Sequence, residues 1–186
     1  LWAARYNGPV NSGDIARSIA VDGSGNVYVT GQSAAIGTNT DYATIKYNSS
    51  GVMQWEKRYN GTGNLNDYAS SIAIDVSGNV YVTGQSEGTG SNFDYATIKY
   101  NSSGVQQWVQ RYNGPGNYAD AARSIAVDGL GNVYVTGSGT GSGTGVDYAT
   151  IKYNSSGDSV WVKRYNSNGN SVDAVSKMAV DGSGNV

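Results

Sequence analysis

Carboxylates are the most numerous side chains in this sequence that could carry chemistry, and most of them recur at a fixed interval. Of the 14 Asp and Glu residues, 11 fall at three repeated positions. The three sets are Asp14, Asp67, Asp120 and Asp173; Asp22, Asp75, Asp128 and Asp181; and Asp41, Asp94 and Asp147. General acid–base catalysis needs its carboxylates once, at a single active site. Their repetition therefore predicts a structural role.

The other residues of catalytic type are scarce. Only Glu56, Glu87 and Asp158 lie outside the repeated positions, and none has an evident partner. The chain contains no His and no Cys, which removes the commonest general base and the thiolate ligands of metals. We expect no enzymatic activity, no catalytic residue and no cofactor.

The segment DGSGN at 22–26 allows two interpretations. Oxygen-bearing side chains at alternate positions resemble the start of a calcium loop, although the later bidentate Glu is missing and only one carboxylate is present. Alternatively, Asp22 opens an Asx turn, in which its carboxylate accepts hydrogen bonds from backbone N–H groups two or three residues on. We favour the Asx turn and expect no metal site.

These residues belong to a repeat of 53 residues. The segment DYATIKYNSSG begins at Asp41, Asp94 and Asp147, and a tryptophan recurs at the same step. Those tryptophans are Trp2, Trp55, Trp108 and Trp161. Such regularity predicts modules that each contact their neighbours in the same way. We divide the single array 1–186 into units of approximately 14–66, 67–119 and 120–172, with partial units 1–13 and 173–186.

Each unit contains four strand-like segments. In the third unit they are 123–128, 131–137, 147–154 and 159–166, all rich in Val, Ile, Thr, Tyr or Trp with period-2 alternation. The turns DGLGN and YNSSG between them are short and contain residues that tolerate positive φ. This pattern predicts four antiparallel strands per unit.

Four-stranded units of this length predict an all-β fold, a β-propeller with four-stranded antiparallel blades repeating every 53 residues. At this spacing, the covered chain corresponds to about 3.5 blades. The alternative is a β-helix, whose coils are shorter and whose parallel strands need no hairpin between every pair. The propeller is the interpretation we favour.

The units resemble the SBBP family of bacterial β-propeller repeats. The residues that carry the resemblance are SIAVDGSGNVYVTGQS at 18–33, its copies at 71–86 and 124–138, and DYATIKYNSSG. It extends over essentially the whole chain. The resemblance implies the propeller fold and export from a bacterial cell, and it implies no defined activity.

The repeated aromatic and basic residues also have structural interpretations. Trp55 and Trp108, with Tyr59 and Tyr112 on the same strand face, are expected to pack between adjacent blades, although aromatic rings also line sugar sites. The repeated cations are expected to face solvent or to pair with carboxylates across strands. They are Arg5, Arg58, Arg111 and Arg164, and Lys46, Lys99 and Lys152.

Charge and hydropathy limit the partners. The formal net charge is −2, which provides no basic patch for phosphates, so we expect no nucleic acid partner. No apolar run is long enough for a membrane span in the covered region, and no leader is visible. Low charge and abundant Asn, Ser, Thr and Gly favour an extracellular or cell-surface location.

The loops at one end of the blades differ between copies, whereas the turns at the other end hardly vary. Variable loops on a rigid scaffold are the usual place for recognition, and neutral drift at exposed sites is the alternative explanation of the variation. The residues we assign to a possible ligand-binding loop face are Asn39, Tyr68, Asn92, Phe93 and Tyr118.

We therefore expect a non-enzymatic extracellular or cell-surface scaffold, structural or adhesive. The covered chain leaves partial units at both ends, which predicts further blades in the same chain, strand exchange with another copy, or end-to-end association. In the last two cases the partners are the protein itself or other surface proteins. The alternative is a lectin-like propeller that binds glycans on the variable loop face.

Overall fold

The protein contains three four-stranded antiparallel sheets. The structure is a computed structural model that describes residues 1–90, 92–168 and 171–186. The first sheet contains β1 (Asp14–Val21), β2 (Val27–Ala34), β3 (Thr40–Tyr47) and β4 (Met53–Tyr59). The second contains β5 (Asp67–Ile74), β6 (Val80–Glu87), β7 (Phe93–Tyr100) and β8 (Gln106–Tyr112). The third contains β9 (Asp120–Val127), β10 (Val133–Thr140), β11 (Val146–Tyr153) and β12 (Ser159–Tyr165).

Within each sheet the strands follow chain order, and every neighbouring pair is antiparallel. The predicted all-β fold of four-stranded units is confirmed, and the antiparallel pairing excludes a β-helix. The described ranges contain no helix, and therefore none that could cross a membrane.

The sheets are arranged as propeller-like blades, each packed face to face on the next. Strand β5 packs against β1, β2 and β3 of the preceding blade, and β9 packs against β5, β6 and β7. The core between the first two blades includes Tyr28, Tyr42, Ile72, Val82 and Ile98, all less than 10% exposed. Burial of these apolar faces is the main source of stability, since each buried side chain contributes about 1.5–3 kcal/mol.

A β-bulge interrupts the first strand of every blade. The register of β1 against β2 shifts between Ala16 and Ser18, and that of β5 against β6 shifts between Ala69 and Ser71. In the third blade Ser124 and Ala122 pair with consecutive residues of β10. The bulge leaves one residue of each first strand without a partner in the second strand, namely Arg17, Ser70 or Arg123. A bulge changes the direction of such a side chain.

The segments that flank the three blades continue the same contacts. Trp2 Nε1 donates a 3.1 Å hydrogen bond to the carbonyl of Ser49, as tryptophans of later blades do to the corresponding turns. Met178 N donates to Ser124 Oγ at 3.2 Å on the third blade. Both segments therefore lie against the outward faces of the first and third blades.

Candidate functional site

The repeated Asp at the start of each DxxGN turn is held by the turn itself. Asp22 Oδ1 accepts hydrogen bonds from the backbone N–H groups of Ser24 and Asn26, each at 2.9 Å. Asp22 Oδ2 accepts from Asn26 Nδ2 at 2.7 Å and from the Tyr28 hydroxyl at 3.0 Å. The Asx turn is thus confirmed, and both carboxylate oxygens are occupied by protein donors.

These turn carboxylates are stabilised in their ionised form. Partial burial raises the pKa of Asp75, but hydrogen bonds from the side chain and backbone of Asn79, from Tyr81 and from Ser77 outweigh it and hold the pKa below its usual value. The same direction holds for Asp22 and Asp128. A low pKa does not suit a general acid at neutral pH.

The Asp at the start of each first strand closes the loop before it. Gly61 N donates to Asp67 Oδ2 at 2.7 Å, and Gly114 N donates to Asp120 Oδ2 at 2.5 Å. Both carboxyl groups are buried, and this burial raises their pKa against the lowering effect of the glycine N–H groups. Their role is to fix the connection between blades.

The third repeated Asp pairs with the Arg of the neighbouring strand. Arg111 Nη2 lies 2.9 Å from Asp94 Oδ2, and Arg164 Nη2 lies 3.0 Å from Asp147 Oδ2. Arg111 also donates to the hydroxyl and the carbonyl of Ser86. The predicted cross-strand pairing of the repeated arginines is confirmed at these positions.

The repeated lysines differ from the prediction. Lys46 Nζ lies 5.1 Å from the centre of the Tyr28 ring and donates to the carbonyl of Ser102 in the next blade. Lys99 makes the same two contacts, with Tyr81 and Ser155. The expectation of solvent-facing or carboxylate-paired lysines was wrong because a tyrosine ring and a turn carbonyl lie within their reach.

Trp55 and Trp108 lie between blades, as predicted, but are only half-buried. The Trp108 ring packs against Tyr81 in its own blade and Tyr153 in the next, at 6.2 and 6.1 Å between centroids. Its Nε1 donates to the Ser155 carbonyl at 3.3 Å. The glycine of the same turn, Gly157, has φ of 93° and packs so closely that a Cβ there would lie 2.9 Å from Trp108. The tryptophan thus joins two blades.

The five residues assigned to the loop face occupy separate places. Tyr68 at the start of β5 and Phe93 at the start of β7 are in contact, with ring centroids 5.6 Å apart. Asn39 and Asn92 are exposed residues of the β2–β3 and β6–β7 connections. Tyr118, in the connection before β9, is 64% exposed. The structure therefore brings together one pair of the five.

A cavity of about 330 Å³ lies between the first strands of the three blades. Its lining includes Arg17, Arg123, Gln32, Gln85 and Tyr68. Only Tyr68 was predicted as a site residue. The sequence contained a signal for the two arginines. Arg17 and Arg123 are cations at a repeat position where the unit between them has Ser70.

The described part of the chain contains no preformed metal site. No group of three or more Asp or Glu side chains there is placed to hold an ion. That metal is dispensable stays a prediction.

The match to a protein-family model agrees with the architecture. The family model SBBP, described as a beta-propeller repeat, matches residues 2–36, 55–94 and 107–143, more than half of the chain. Each matched segment spans the junction between one blade and the next. Among curated proteins, no relative matches. One similar solved structure is a fucose lectin from Kordia zhangzhouensis in complex with methyl-fucoside, 14% identical, with a TM-score of 0.45, covering 81% of this chain and 99% of that one.

Proposed function

The chain belongs to the SBBP family of β-propeller repeats, and from this we propose that it is a non-enzymatic scaffold outside the bacterial cell or on its surface, whose blades associate with a second copy. The composition of low charge and abundant Asn, Ser, Thr and Gly supports the location. The occupation of the repeated carboxylates by structural hydrogen bonds supports a role without catalysis.

One comparison within the molecule carries the proposal of self-association. Ile72 in β5 and Ile125 in β9 are each 7% exposed, because the preceding blade covers them. The equivalent Ile19 in β1 is 65% exposed. Three copies of one residue thus differ only in whether a blade is packed on them.

The outward face of the first blade, which the segment before β1 covers only in part, is broad and apolar. Besides Ile19, it exposes Val21 at 61%. It forms a groove of about 570 Å³, whose lining also includes Val29 and Ile45. Apolar patches of this kind mark interaction surfaces on soluble proteins.

The opposite face, on the third blade, is covered only in part, by the segment that follows β12. Tyr165 is 51% exposed, whereas the equivalent Tyr59 is 9% exposed beneath the next blade. Since the internal interfaces join a face of this kind to a face like that of β1, the occupant with matching shape and chemistry is another blade of the same repeat.

The contact expected between copies is therefore head-to-tail. The third blade of one copy packs on the first blade of the next, as the first packs on the second within the chain. A heterologous contact closes into a ring or extends into a filament, depending on the rotation between copies. Either assembly suits a structural or adhesive scaffold.

Sedimentation velocity over a range of protein concentrations tests this assembly. We expect the wild-type chain to associate with increasing concentration. Ile19→Asp should prevent association, because it places a charge in the centre of the apolar face. Tyr165→Asp should do the same from the opposite face. Ile36→Asp is the matched control, since Ile36 is 78% exposed in a connecting loop.

Several results would contradict self-association. A wild-type chain that stays monomeric at all concentrations would do so, as would equal effects of Ile19→Asp and Ile36→Asp. If Ile19→Asp dissociates the assembly and Tyr165→Asp leaves it intact, then the first-blade faces pair with each other, and the head-to-tail arrangement is wrong.

A second candidate function is glycan binding on the variable loop face. The supporting observation is the contact between the Tyr68 and Phe93 rings beside exposed Asn92, because aromatic faces with nearby amides suit sugar rings. A glycan array tests it. Saturable binding to one glycan, lost in Phe93→Ala and retained in Val76→Ala at the opposite end of the blade, would favour this candidate.

A further inference from the structure

Two arginines share the cavity between the first strands, and neither has a carboxylate partner. Arg17 donates only a long 3.4 Å hydrogen bond to Gln32 Oε1, and no contact of Arg123 with a carboxylate lies within 4.0 Å in the described ranges. The ion pairs found there belong to other arginines, Arg58, Arg111 and Arg164. Of the described residues that line the cavity, none is acidic.

The bulges explain how these side chains reach the same space. Arg17 lies at the bulge of β1 and Arg123 at the bulge of β9, on either side of β5. The residue at the bulge of β5 is Ser70, whose hydroxyl donates a 2.6 Å hydrogen bond to the carbonyl of Ala122. Ser70 therefore lines the cavity with a short side chain that is engaged with the backbone, and Arg17 and Arg123 line it with long ones.

The remaining lining includes two carboxamides and one aromatic ring. Gln32 and Gln85 occupy equivalent positions of β2 and β6, and each provides a carboxamide donor and acceptor. Tyr68 provides a half-buried ring. The volume of about 330 Å³ is at the lower end of the range of small-molecule sites, which suits a single sugar ring with its substituents.

From this arrangement we propose that the cavity, here called the arginine cavity, binds a carboxylated saccharide of the uronic acid class. Arg17 and Arg123 bind the carboxylate, for which the planar guanidinium fork is well matched. Gln32 and Gln85 form hydrogen bonds with sugar hydroxyls. Tyr68 packs against the C–H face of the ring.

Two considerations favour an anionic ligand over a neutral one. Two like charges in one cavity repel each other, and a bound carboxylate removes this repulsion. Furthermore, the repeat conserves its structural cations in every blade but places arginine at this position only in alternate blades. The charge at this position therefore varies between blades, whereas the structural cations do not vary.

This inference does not depend on the scaffold role or on self-association. The arginine cavity lies between first strands within one chain, whereas the proposed assembly uses the outward faces at Ile19 and Tyr165. Failure of one proposal leaves the other intact, because saccharide binding and sedimentation are separate measurements.

Isothermal titration calorimetry of the full chain with methyl β-D-glucuronide tests the proposal. Methyl β-D-glucoside is the neutral control, and inorganic phosphate distinguishes a saccharide site from a general anion site. We expect the glucuronide to bind about tenfold or more tightly than the glucoside, since hydrogen bonds to charged groups contribute about 1.5–3 kcal/mol each.

Substitutions at the arginines provide the residue-level test. Arg17→Gln and Arg123→Gln should each weaken glucuronide binding by about tenfold or more. Both arginines are exposed, so the variants should fold, as circular dichroism would verify. Arg123→Lys should weaken binding less, because the charge remains while the fork is lost. Arg5→Gln is the matched control: Arg5 is exposed, unpaired with any carboxylate in the described chain, and outside the cavity lining.

Three outcomes would overturn the proposal. Equal affinity for glucuronide and glucoside would show that charge is not recognised. Equal affinity for phosphate and glucuronide would show a general anion site without saccharide recognition. Equal losses in Arg5→Gln and Arg123→Gln would show a nonspecific effect of net charge.

Discussion

The Tyr112 hydroxyl accepts a 2.9 Å hydrogen bond from Arg164, which lies in the following blade. The same contact recurs between Tyr6 and Arg58 at 3.0 Å. Arg164 also donates to the Asp147 carboxylate and to the Gly139 carbonyl of its own blade. The Tyr112 hydroxyl therefore links the ion pair of the third blade to the second blade. The contact between blades is therefore polar at this end and apolar in the middle.

Replacement of Tyr112 by Phe should lower the free energy of unfolding by about 1–2 kcal/mol, because a partly buried guanidinium loses an acceptor. Urea denaturation measures the effect. Tyr165→Phe is the matched control and should cost less than about 0.5 kcal/mol, since Tyr165 is half-exposed and no further blade packs on it. Equal costs at the two positions would contradict a role for the hydrogen bond between blades.

Replacement of Trp108 by Ala should cost about 2–3 kcal/mol, somewhat below the ~3–5 kcal/mol of fully buried large aromatics, because Trp108 is half-buried. The loss combines packing against Tyr81 and Tyr153 with the hydrogen bond to Ser155. Trp161→Ala should cost less, since its described ring contact is with Tyr134 of its own blade. A larger loss in Trp161→Ala than in Trp108→Ala would show that the contact between blades is not the important one.

Replacement of Asp75 by Asn should have an effect that depends on pH. An Asn in this place can accept the two backbone hydrogen bonds, as Asn101 does in the second turn, but it loses the charge. Since the folded pKa of Asp75 is lowered, its contribution is full above the ordinary value of 3.8 and is lost as the pH falls through the folded pKa. The variant should be less stable than wild type by about 1 kcal/mol at neutral pH, with the difference disappearing in acid.

Replacement of Asp67 by Asn should show the opposite pH dependence of the free energy of unfolding, measured by urea denaturation for both variants. Burial raises the folded pKa of Asp67, so the stability it contributes is full below 3.8 and is lost as the pH rises through the folded pKa. Wild type should therefore lose its advantage over Asp67→Asn with increasing pH. Parallel pH profiles for Asp75→Asn and Asp67→Asn would show that the two environments do not differ as described.

Removal of divalent cations should leave the melting temperature unchanged. The Asp22 carboxylate already accepts hydrogen bonds from Ser24, Asn26 and Tyr28, which leaves no free pair of oxygens for a hard cation. Differential scanning calorimetry with and without EDTA measures this. A large decrease that calcium restores would establish a metal site in these turns.

The sequence alone determined the local structure. Alternation of apolar residues predicted the strands, and the glycine-rich turns predicted the hairpins, because both depend on residues near each other in the chain. The repeat interval then predicted similar contacts for each blade, including the pairing of Arg111 with Asp94. The Asx turn at Asp22 followed from one turn motif.

Only the tertiary structure decided which side chains from different blades meet. The hydrogen bond from Lys46 to the Ser102 carbonyl and the packing of the Trp108 ring on Tyr153 depend on the distance between sheets, which alternation within a strand does not encode. Arg17 and Arg123 meet in one cavity because a bulge in each first strand breaks the period-2 rule by which the sequence was interpreted. A register shift changes the face of the sheet to which a side chain points. The register itself is determined by pairing with another strand.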